Sequence, residues 1–103
     1  MKIINVARDF TRFPAGRYQR NGGFSGEEFR TRFLEEPLRN RETIRIELDG
    51  TIGYGSSFLE ETFGGLVRSL HLPAEEILKH LEIDSNDPSL IAEIKQYITD
   101  AAR

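Results

Sequence analysis

Apolar and polar residues alternate along short stretches of the chain, and such alternation predicts β-strands. The clearest stretch is 43–49, in which every second residue is isoleucine or leucine. Residues 2–6 and Leu81–Asp84 carry weaker versions of the same pattern. A short further strand is predicted around 17–20, between two turn signals rich in glycine. The pattern therefore predicts about four strands.

Between these strands the apolar residues fall at helical spacing. Ser25 and Glu28 form a capping box, in which the serine side chain accepts from a backbone amide three residues on, so a helix is predicted from there to about residue 36. Pro37 is expected to end or bend this helix, because proline disfavours helical geometry in the residue before it. Apolar positions from Phe58 to Leu70 predict a second helix.

Two further helices are predicted after these, each with a proline at its first position, where proline is tolerated best. They begin at Pro73 and Pro88. The order of elements predicts an α/β fold: a small single domain over 1–103, with a mixed sheet of about four strands covered by three to four helices. In such folds, ligands and partners bind at the loops that follow the strand ends.

Composition narrows the class of protein. The chain has 103 residues, no cysteine and a net charge of −3. The absence of cysteine excludes disulfides and thiol catalysis. No apolar run is long enough for a membrane span or a signal peptide. We therefore expect a cytoplasmic protein. Residues 1–34 hold seven Lys and Arg against three Asp and Glu (+4), and 35–103 hold seven against fourteen (−7). This asymmetry predicts two differently charged faces.

The stretch 49–58, DGTIGYGSSF, joins the clearest strand to the second helix. A P-loop NTPase needs a lysine here to contact phosphate groups, and none is present. A strand-to-helix turn whose glycines adopt positive φ is one interpretation, and ordered anion binding at the helix N-terminus is the alternative. Ser57 and Glu60 have the spacing of a second capping box, so Ser57 is expected to cap the helix and to leave the Ser56 hydroxyl free.

Arginine and aromatic residues interleave over 8–20. This mixture suits single-stranded nucleic acid or a nucleotide, but the negative net charge favours aromatic residues in the core and arginines in solvent or paired with acids. Arg17 precedes a second glycine-rich loop, 21–26, that leads into the first helix. The two glycine-rich helix N-termini can converge on one anion site, with Arg17 supplying positive charge.

No constellation of side chains points to catalysis or to a metal. His71 and His80 have no companions at the spacing that metal ligands require. No Ser/His/Asp set with an acid–base partner is visible. We therefore expect no enzymatic activity, no cofactor and no metal.

Several of these features together resemble a known family. They are Gly16-Arg17, the helix start Ser25-Gly26-Glu27-Glu28-Phe29, an apolar strand that ends near Asp49-Gly50, and Ser56-Ser57-Phe58 opening a helix. The chain is similar in these to a bacterial family of STAS-like domains of unknown function, related to the STAS domains of anti-sigma-factor antagonists. The resemblance spans roughly residues 17–70.

The resemblance implies a regulatory protein that binds another protein. In anti-sigma-factor antagonists a partner kinase phosphorylates a serine in the corresponding turn and so breaks the complex; that serine falls on Ser56 here. Gly55 and Phe58 depart from the Asp and Gly that flank it in those proteins. STAS-like proteins often neighbour histidine-kinase-type ATPases, so the resemblance suggests such an ATPase, or an anti-sigma-like factor, as the partner.

We therefore predict a regulatory protein-interaction module, with a nucleotide- or anion-binding sensor as the alternative and nucleic-acid binding ranked below both. The module would use the turn at 53–57 and the exposed face of the second helix, whose Gly64-Gly65 pair predicts close packing against another surface. The sensor would use Arg17 and both glycine-rich loops. Ser56 is the candidate phosphoacceptor. The candidate contact residues are Arg17, Asn21, Gly22, Gly23, Ser25, Gly26, Gly53, Tyr54, Gly55, Ser56, Ser57, Glu60, Glu61, Gly64 and Arg68.

Overall fold

Three parallel strands form the sheet in the computed structural model, which describes residues 1–103. They are β1 (Lys2–Asn5), β2 (Ile44–Glu47) and β3 (Leu81–Asp84), in the order β1-β2-β3. Both pairs are parallel, and Ile46 of β2 lies opposite Ile4 and Ile83. Parallel neighbours require a crossover connection, and helices supply it on both occasions.

The helices are α1 (Val6–Asp9), α2 (Gly26–Phe29), α3 (Glu35–Arg39), α4 (Ser56–Leu59), α5 (Gly65–Leu70), α6 (Ala74–Lys79) and α7 (Pro88–Ala101). A π-helical turn joins α2 to α3, and another joins α4 to α5. These segments are continuous, so we call them the 26–39 helix and the 56–70 helix. None of the helices is both long and apolar enough to span a membrane.

The sheet buries one of its two faces. On that face Ile4, Ile44, Ile46 and Leu81 pack into the hydrophobic core with apolar side chains of the helices. The opposite face carries charged and polar side chains, among them Arg45, which pairs with carboxylates of β2 and β3. The period-2 alternation seen in the sequence is the direct cause of this division, because successive side chains of a strand point to opposite faces.

The sheet is smaller and more regular than the sequence predicts, because no strand forms at 17–20. Backbone carbonyls there accept from the start of the 26–39 helix: Gly26 N–H donates to Gly16 and Glu27 N–H to Arg17. The chain then makes a 3-10 turn, Gln19–Asn21. The prediction of a mixed sheet of about four strands is therefore wrong: the sheet has three strands, all parallel, with five helices when the continuous ones are counted as one.

The first long helix also continues past Pro37, which was expected to end or bend it, so the first of these two alternatives is wrong. Pro37 lies inside α3, which ends at Arg39. A π-helical turn, Arg30–Leu34, precedes it, so Pro37 falls within the first turn after that irregularity. Proline is tolerated near the start of a helical segment, where its missing N–H need not find an intrahelical partner.

The predicted helix start at Pro88 is confirmed, and the Asp87 side chain accepts from Ser89 N–H. The helix predicted from Pro73 begins at Ala74, with Pro73 as its N-cap residue.

Candidate functional site

The glycine-rich turn after β2 is anchored by a tyrosine. The Tyr54 hydroxyl donates to the Leu48 carbonyl oxygen at 2.6 Å, and burial raises the pKa of this phenol to about 12. Of the three glycines only Gly50 has a positive φ, +107°. Gly53 and Gly55 have none, and a side chain on either would meet only open space. The expectation that the glycines of this turn all adopt positive φ is therefore wrong at Gly53 and Gly55.

A cleft of about 360 Å³ opens beside this turn at the carboxyl ends of β2 and β3, where the order of elements predicted a ligand or partner site. Asp49 lies in it, and its carboxylate accepts from Asn86 N–H at 3.1 Å and from the Ser85 hydroxyl at 3.2 Å. This carboxylate therefore ties the β2 turn to the loop before α7. No cluster of three side chains with metal-binding atoms is present in the structure.

The 56–70 helix begins without a side-chain cap. Its N-cap residue is Gly55, whose carbonyl oxygen accepts from Leu59 N–H at 3.1 Å. The prediction that Ser57 caps this helix is wrong, because the helix begins two residues earlier than expected and Ser57 is already inside it. Ser56 and Ser57 are both exposed. The amides of this first turn therefore have no side-chain acceptor.

The 26–39 helix begins in the opposite way. The Ser25 hydroxyl accepts from Glu28 N–H at 3.2 Å, which confirms the predicted cap. The Glu28 carboxylate reaches back to Phe24 N–H, one residue before the serine. Gly26 packs so closely on the other long helix that an added Cβ would lie 2.5 Å from the Phe58 carbonyl oxygen. This glycine is therefore required by the contact between the two long helices.

Charged residues of the two long helices and the N-terminal loop form one continuous network of ion pairs. In its outer part, Arg17 contacts the carboxylates of Glu60 at 2.5 Å and Glu61 at 3.2 Å. Arg68 contacts Glu60 at 2.7 Å. The hydrogen bonds from Arg68 and Arg17 lower the pKa of Glu60, and the bond to Glu60 raises the pKa of Arg17. The basic N-terminal third thus pairs with the acidic remainder, so folding brings together the charges that the sequence suggested would form separate faces.

The inner part of the network lies beneath this surface. Arg30 donates to the Glu61 carboxylate and to the Glu61 carbonyl oxygen, both at 2.7 Å, and to Glu35 at 2.8 Å. The Ser69 hydroxyl donates to the same Glu35 carboxylate at 2.8 Å. Arg30 begins one π-helical turn, and Glu61 lies in the other. The irregular turns of both long helices therefore carry the buried charges.

The glycine pair within the 56–70 helix makes room for this network. A side chain at Gly65 would overlap the guanidinium of Arg30, and one at Gly64 would overlap the carboxylate of Glu60. Close packing, predicted from the pair, is therefore found, but the neighbours are charged side chains. The predicted exposed face of this helix needs a correction: Glu60 and Arg68 reach solvent, whereas Glu61 and Gly64 are buried under them.

Two large apolar side chains that the sequence analysis did not select are exposed beside the turn. Ile52 is 69% exposed and Phe13 is 67% exposed. Ile52 N–H donates to the Arg12 carbonyl oxygen at 2.9 Å, which holds the two loops together. We call Phe13, Ile52 and residues 53–57 the turn surface. An isolated apolar residue between glycines and serines in a loop was the signal that could have identified Ile52.

Of the glycines in the second glycine-rich loop, 21–26, only Gly26 lies against the 56–70 helix. Asn21, Gly22 and Gly23 are exposed, and Gly22 has a positive φ of +141°. Added side chains at Gly22 and Gly23 would meet nothing within 4 Å. Arg17, which was expected to supply positive charge to an anion here, is instead engaged by two carboxylates.

Comparison with known families now adds to this geometry. Residues 25–90 match the family model described as STAS-like domain of unknown function (DUF4325). The chain belongs to this family. The matched region of the STAS-like domain runs from the Ser25 cap into the first turn of α7, and so includes both long helices, β2 and β3. No curated protein and no solved structure matches the chain.

Proposed function

We propose that this STAS-like domain is a small regulatory module that works by binding another protein through its turn surface. The observation that carries the proposal is the pair of exposed apolar side chains, Phe13 and Ile52, on loops joined by a backbone hydrogen bond. Exposed apolar side chains on adjoining loops are a mark of surfaces that bind other proteins. The partner class that the family resemblance suggests is a histidine-kinase-type ATPase or an anti-sigma-like factor.

The alternative, a nucleotide or anion sensor, has less support. A phosphate group is recognised by free positive charge and by helix N-termini. Arg17 and Arg68 share the carboxylates of Glu60 and Glu61, so an anion would have to displace these acids to gain their charge. The exposed start of the 56–70 helix remains available to an anion, which is the observation that keeps the alternative open.

Phosphorylation of Ser56 would supply a means of regulation. Its hydroxyl is exposed, and it precedes Glu60 by one helical turn. A phosphate on Ser56 would gain from the positive end of the helix dipole and would compete with Glu60 for Arg17 and Arg68. The proposed consequence is a change in charge at the turn surface, which weakens the partner complex.

Binding of a candidate histidine-kinase-type ATPase, measured by calorimetry, tests the proposed surface. We expect Ile52→Ser to weaken the affinity by about tenfold, the loss typical of one important apolar contact. Ile3→Ser is the matched control, because Ile3 is also exposed but lies on β1. Unchanged affinity of Ile52→Ser, with both variants folded by circular dichroism, would contradict the proposed surface.

The same calorimetric titration tests the phosphorylation switch, and a thermal melt tests the nucleotide or anion sensor. Ser56→Asp should weaken the complex. Ser89→Asp, at an exposed serine in the first turn of α7, is the control for added charge. If Ser56→Asp leaves the affinity unchanged, the phosphoswitch fails in its simplest form. ATP, ADP or sulfate should leave the melting temperature unchanged; a rise that Arg17→Ala abolishes would favour the sensor.

A further inference from the structure

Residues 11–17 form the loop that carries Phe13, and we call it the Phe13 loop. It contains no helix and no strand. The Arg12 carbonyl oxygen accepts from Ile52 N–H in the turn after β2, and those of Gly16 and Arg17 accept from the start of the 26–39 helix. Arg17 also makes the only ion pairs of the loop, both with the 56–70 helix. Few polar contacts therefore decide where this loop lies.

Arg17 can leave the ion-pair network without leaving a buried charge alone. Glu60 also pairs with Arg68 at 2.7 Å, and Glu61 also pairs with Arg30 at 2.7 Å. The Arg17 side chain is 33% exposed, so water can solvate its guanidinium after it detaches. Breaking an ion pair is costly when an unpaired charge stays buried, and here none does. Arg17 is therefore the member of the network that detaches at low cost.

Detachment of Arg17 would change the turn surface. Phe13 lies on the same short loop, separated from Arg17 by three residues of which only Pro14 is buried. A single backbone hydrogen bond, from Ile52 N–H to the Arg12 carbonyl oxygen, joins this loop to the turn. One such bond adds little by itself, because water can replace it, and segments with few buried contacts open locally. Without the Arg17 ion pairs, Phe13 should therefore move away from Ile52 more often.

We propose that Arg17 is a positioning residue whose ion pairs hold Phe13 beside Ile52, and that negative charge at Ser56 releases them. Ser56 precedes Glu60 by one helical turn, so side chains at these two positions are neighbours and a phosphate there competes for the same guanidinium. The inference rests on the proposed function for its consequence, because Phe13 and Ile52 are the apolar pair that a partner would contact. The release itself is a property of the free protein.

Amide hydrogen exchange of the free protein, followed residue by residue by NMR, tests the release. Arg17→Gln should speed the exchange of Ile52 N–H about threefold, the order expected from losing one partly exposed ion pair. Leu48 N–H, which donates to Asp84 within the sheet, should not change. Arg17→Lys keeps the charge and should restore most of the protection.

The matched control for net charge is Arg20→Gln. Arg20 is an exposed arginine close to Arg17 in the chain, and it makes no ion pair; its guanidinium lies over the ring of Tyr18. This variant should leave the exchange of Ile52 N–H unchanged.

Salt and added charge separate an ionic role of Arg17 from a packing role. Raising NaCl from about 0.05 M to about 0.5 M should shrink the difference in Ile52 exchange between the wild type and Arg17→Gln, because salt screens exposed pairs. Ser56→Asp should speed Ile52 exchange in the wild type and should add nothing in the Arg17→Gln background.

Several outcomes would overturn the proposal. These are unchanged Ile52 exchange in Arg17→Gln, an equal effect of Arg20→Gln, a difference that salt leaves intact, or an effect of Ser56→Asp that is absent or the same in both backgrounds. Faster exchange at Leu48 as well would make Arg17 a general stabiliser of the fold instead. The proposed function fails separately, when Ile52→Ser leaves partner affinity unchanged while these exchange results hold.

Discussion

The inner and outer parts of the ion-pair network use the same residue types in different surroundings. Arg30 and Glu61 each keep only 10% of their side-chain surface exposed, whereas Arg68 keeps 47% and Glu60 27%. A buried charge is costly when it loses its partner, and an exposed one is solvated by water instead. The inner part therefore holds the two long helices together, and the outer part is free to exchange partners at the surface.

The largest effect is expected from removing the carboxylate shared by the two parts. Glu61→Ala leaves Arg30 buried with only Glu35 as an acidic partner, so we expect the free energy of unfolding to fall by about 3 kcal/mol, the lower end of the range for a broken buried pair. Urea denaturation measures it. Glu60→Ala is the control and should cost about 1 kcal/mol or less. Equal losses of unfolding free energy in the two variants would contradict the distinction between the inner and outer parts of the network.

The glycine pair offers a second comparison at a smaller scale. Gly65→Ala forces the buried guanidinium of Arg30 to move, and we expect a loss of about 1–3 kcal/mol in the free energy of unfolding. Gly64→Ala displaces the flexible end of Glu60, and the helix propensity of alanine, about 1 kcal/mol better than glycine, offsets that cost. Thermal melting of both variants measures the difference. A Gly64→Ala variant as unstable as Gly65→Ala would show that Glu60 is held as rigidly as Arg30.

The smallest effect concerns pH. Hydrogen bonds from Arg68 and Arg17 lower the pKa of Glu60 below its ordinary value of 4.5 in the folded state. The unfolded chain therefore takes up this proton first, and the stability due to Glu60 is complete above about pH 4.5 and is lost as pH falls through the lower, folded pKa. Glu60→Gln should remove up to about 1 kcal/mol of this acid dependence, because the pair is partly exposed.

Chemical denaturation at pH 6 and pH 3 checks this expectation. The difference in stability between the two pH values should be smaller in Glu60→Gln than in the wild type, and salt should reduce the contrast because it screens exposed pairs. Identical acid dependence of the two proteins would mean that Glu60 gains nothing from its arginines.

Local patterns in the sequence predicted much of the fold. The alternation over 43–49 and the Ser25 cap depend on residues within one turn or one strand of each other. Both can therefore be predicted from short stretches of sequence. The errors occurred where a local signal competes with distant contacts. Pro37 is accommodated by a π-helical turn, and Ser57 lost its role because the helix begins at Ser56.

The sequence predicted several residues of the candidate site but not which of them contact each other. Arg17, Glu60 and Arg68 were selected from the sequence, and the structure brings all three together. Their partnership was not visible, because Arg17 and Glu60 are separated by 43 residues. The exposure of Phe13 was not predicted either, since an apolar residue in a loop is equally consistent with burial. For Ile52 the neighbouring glycines were a signal that the sequence analysis did not use.

By itself, the sequence determined the three strands that form, the order of the long helices between them and the side of each strand that is buried, because hydrophobic periodicity and capping act over a few residues. Only the tertiary structure decided how many strands pair and which arginine meets which carboxylate. It also decided that the glycines at 64 and 65 accommodate charged side chains. Those outcomes depend on contacts between segments far apart in the chain, and such contacts exist only after the helices and the sheet have packed together.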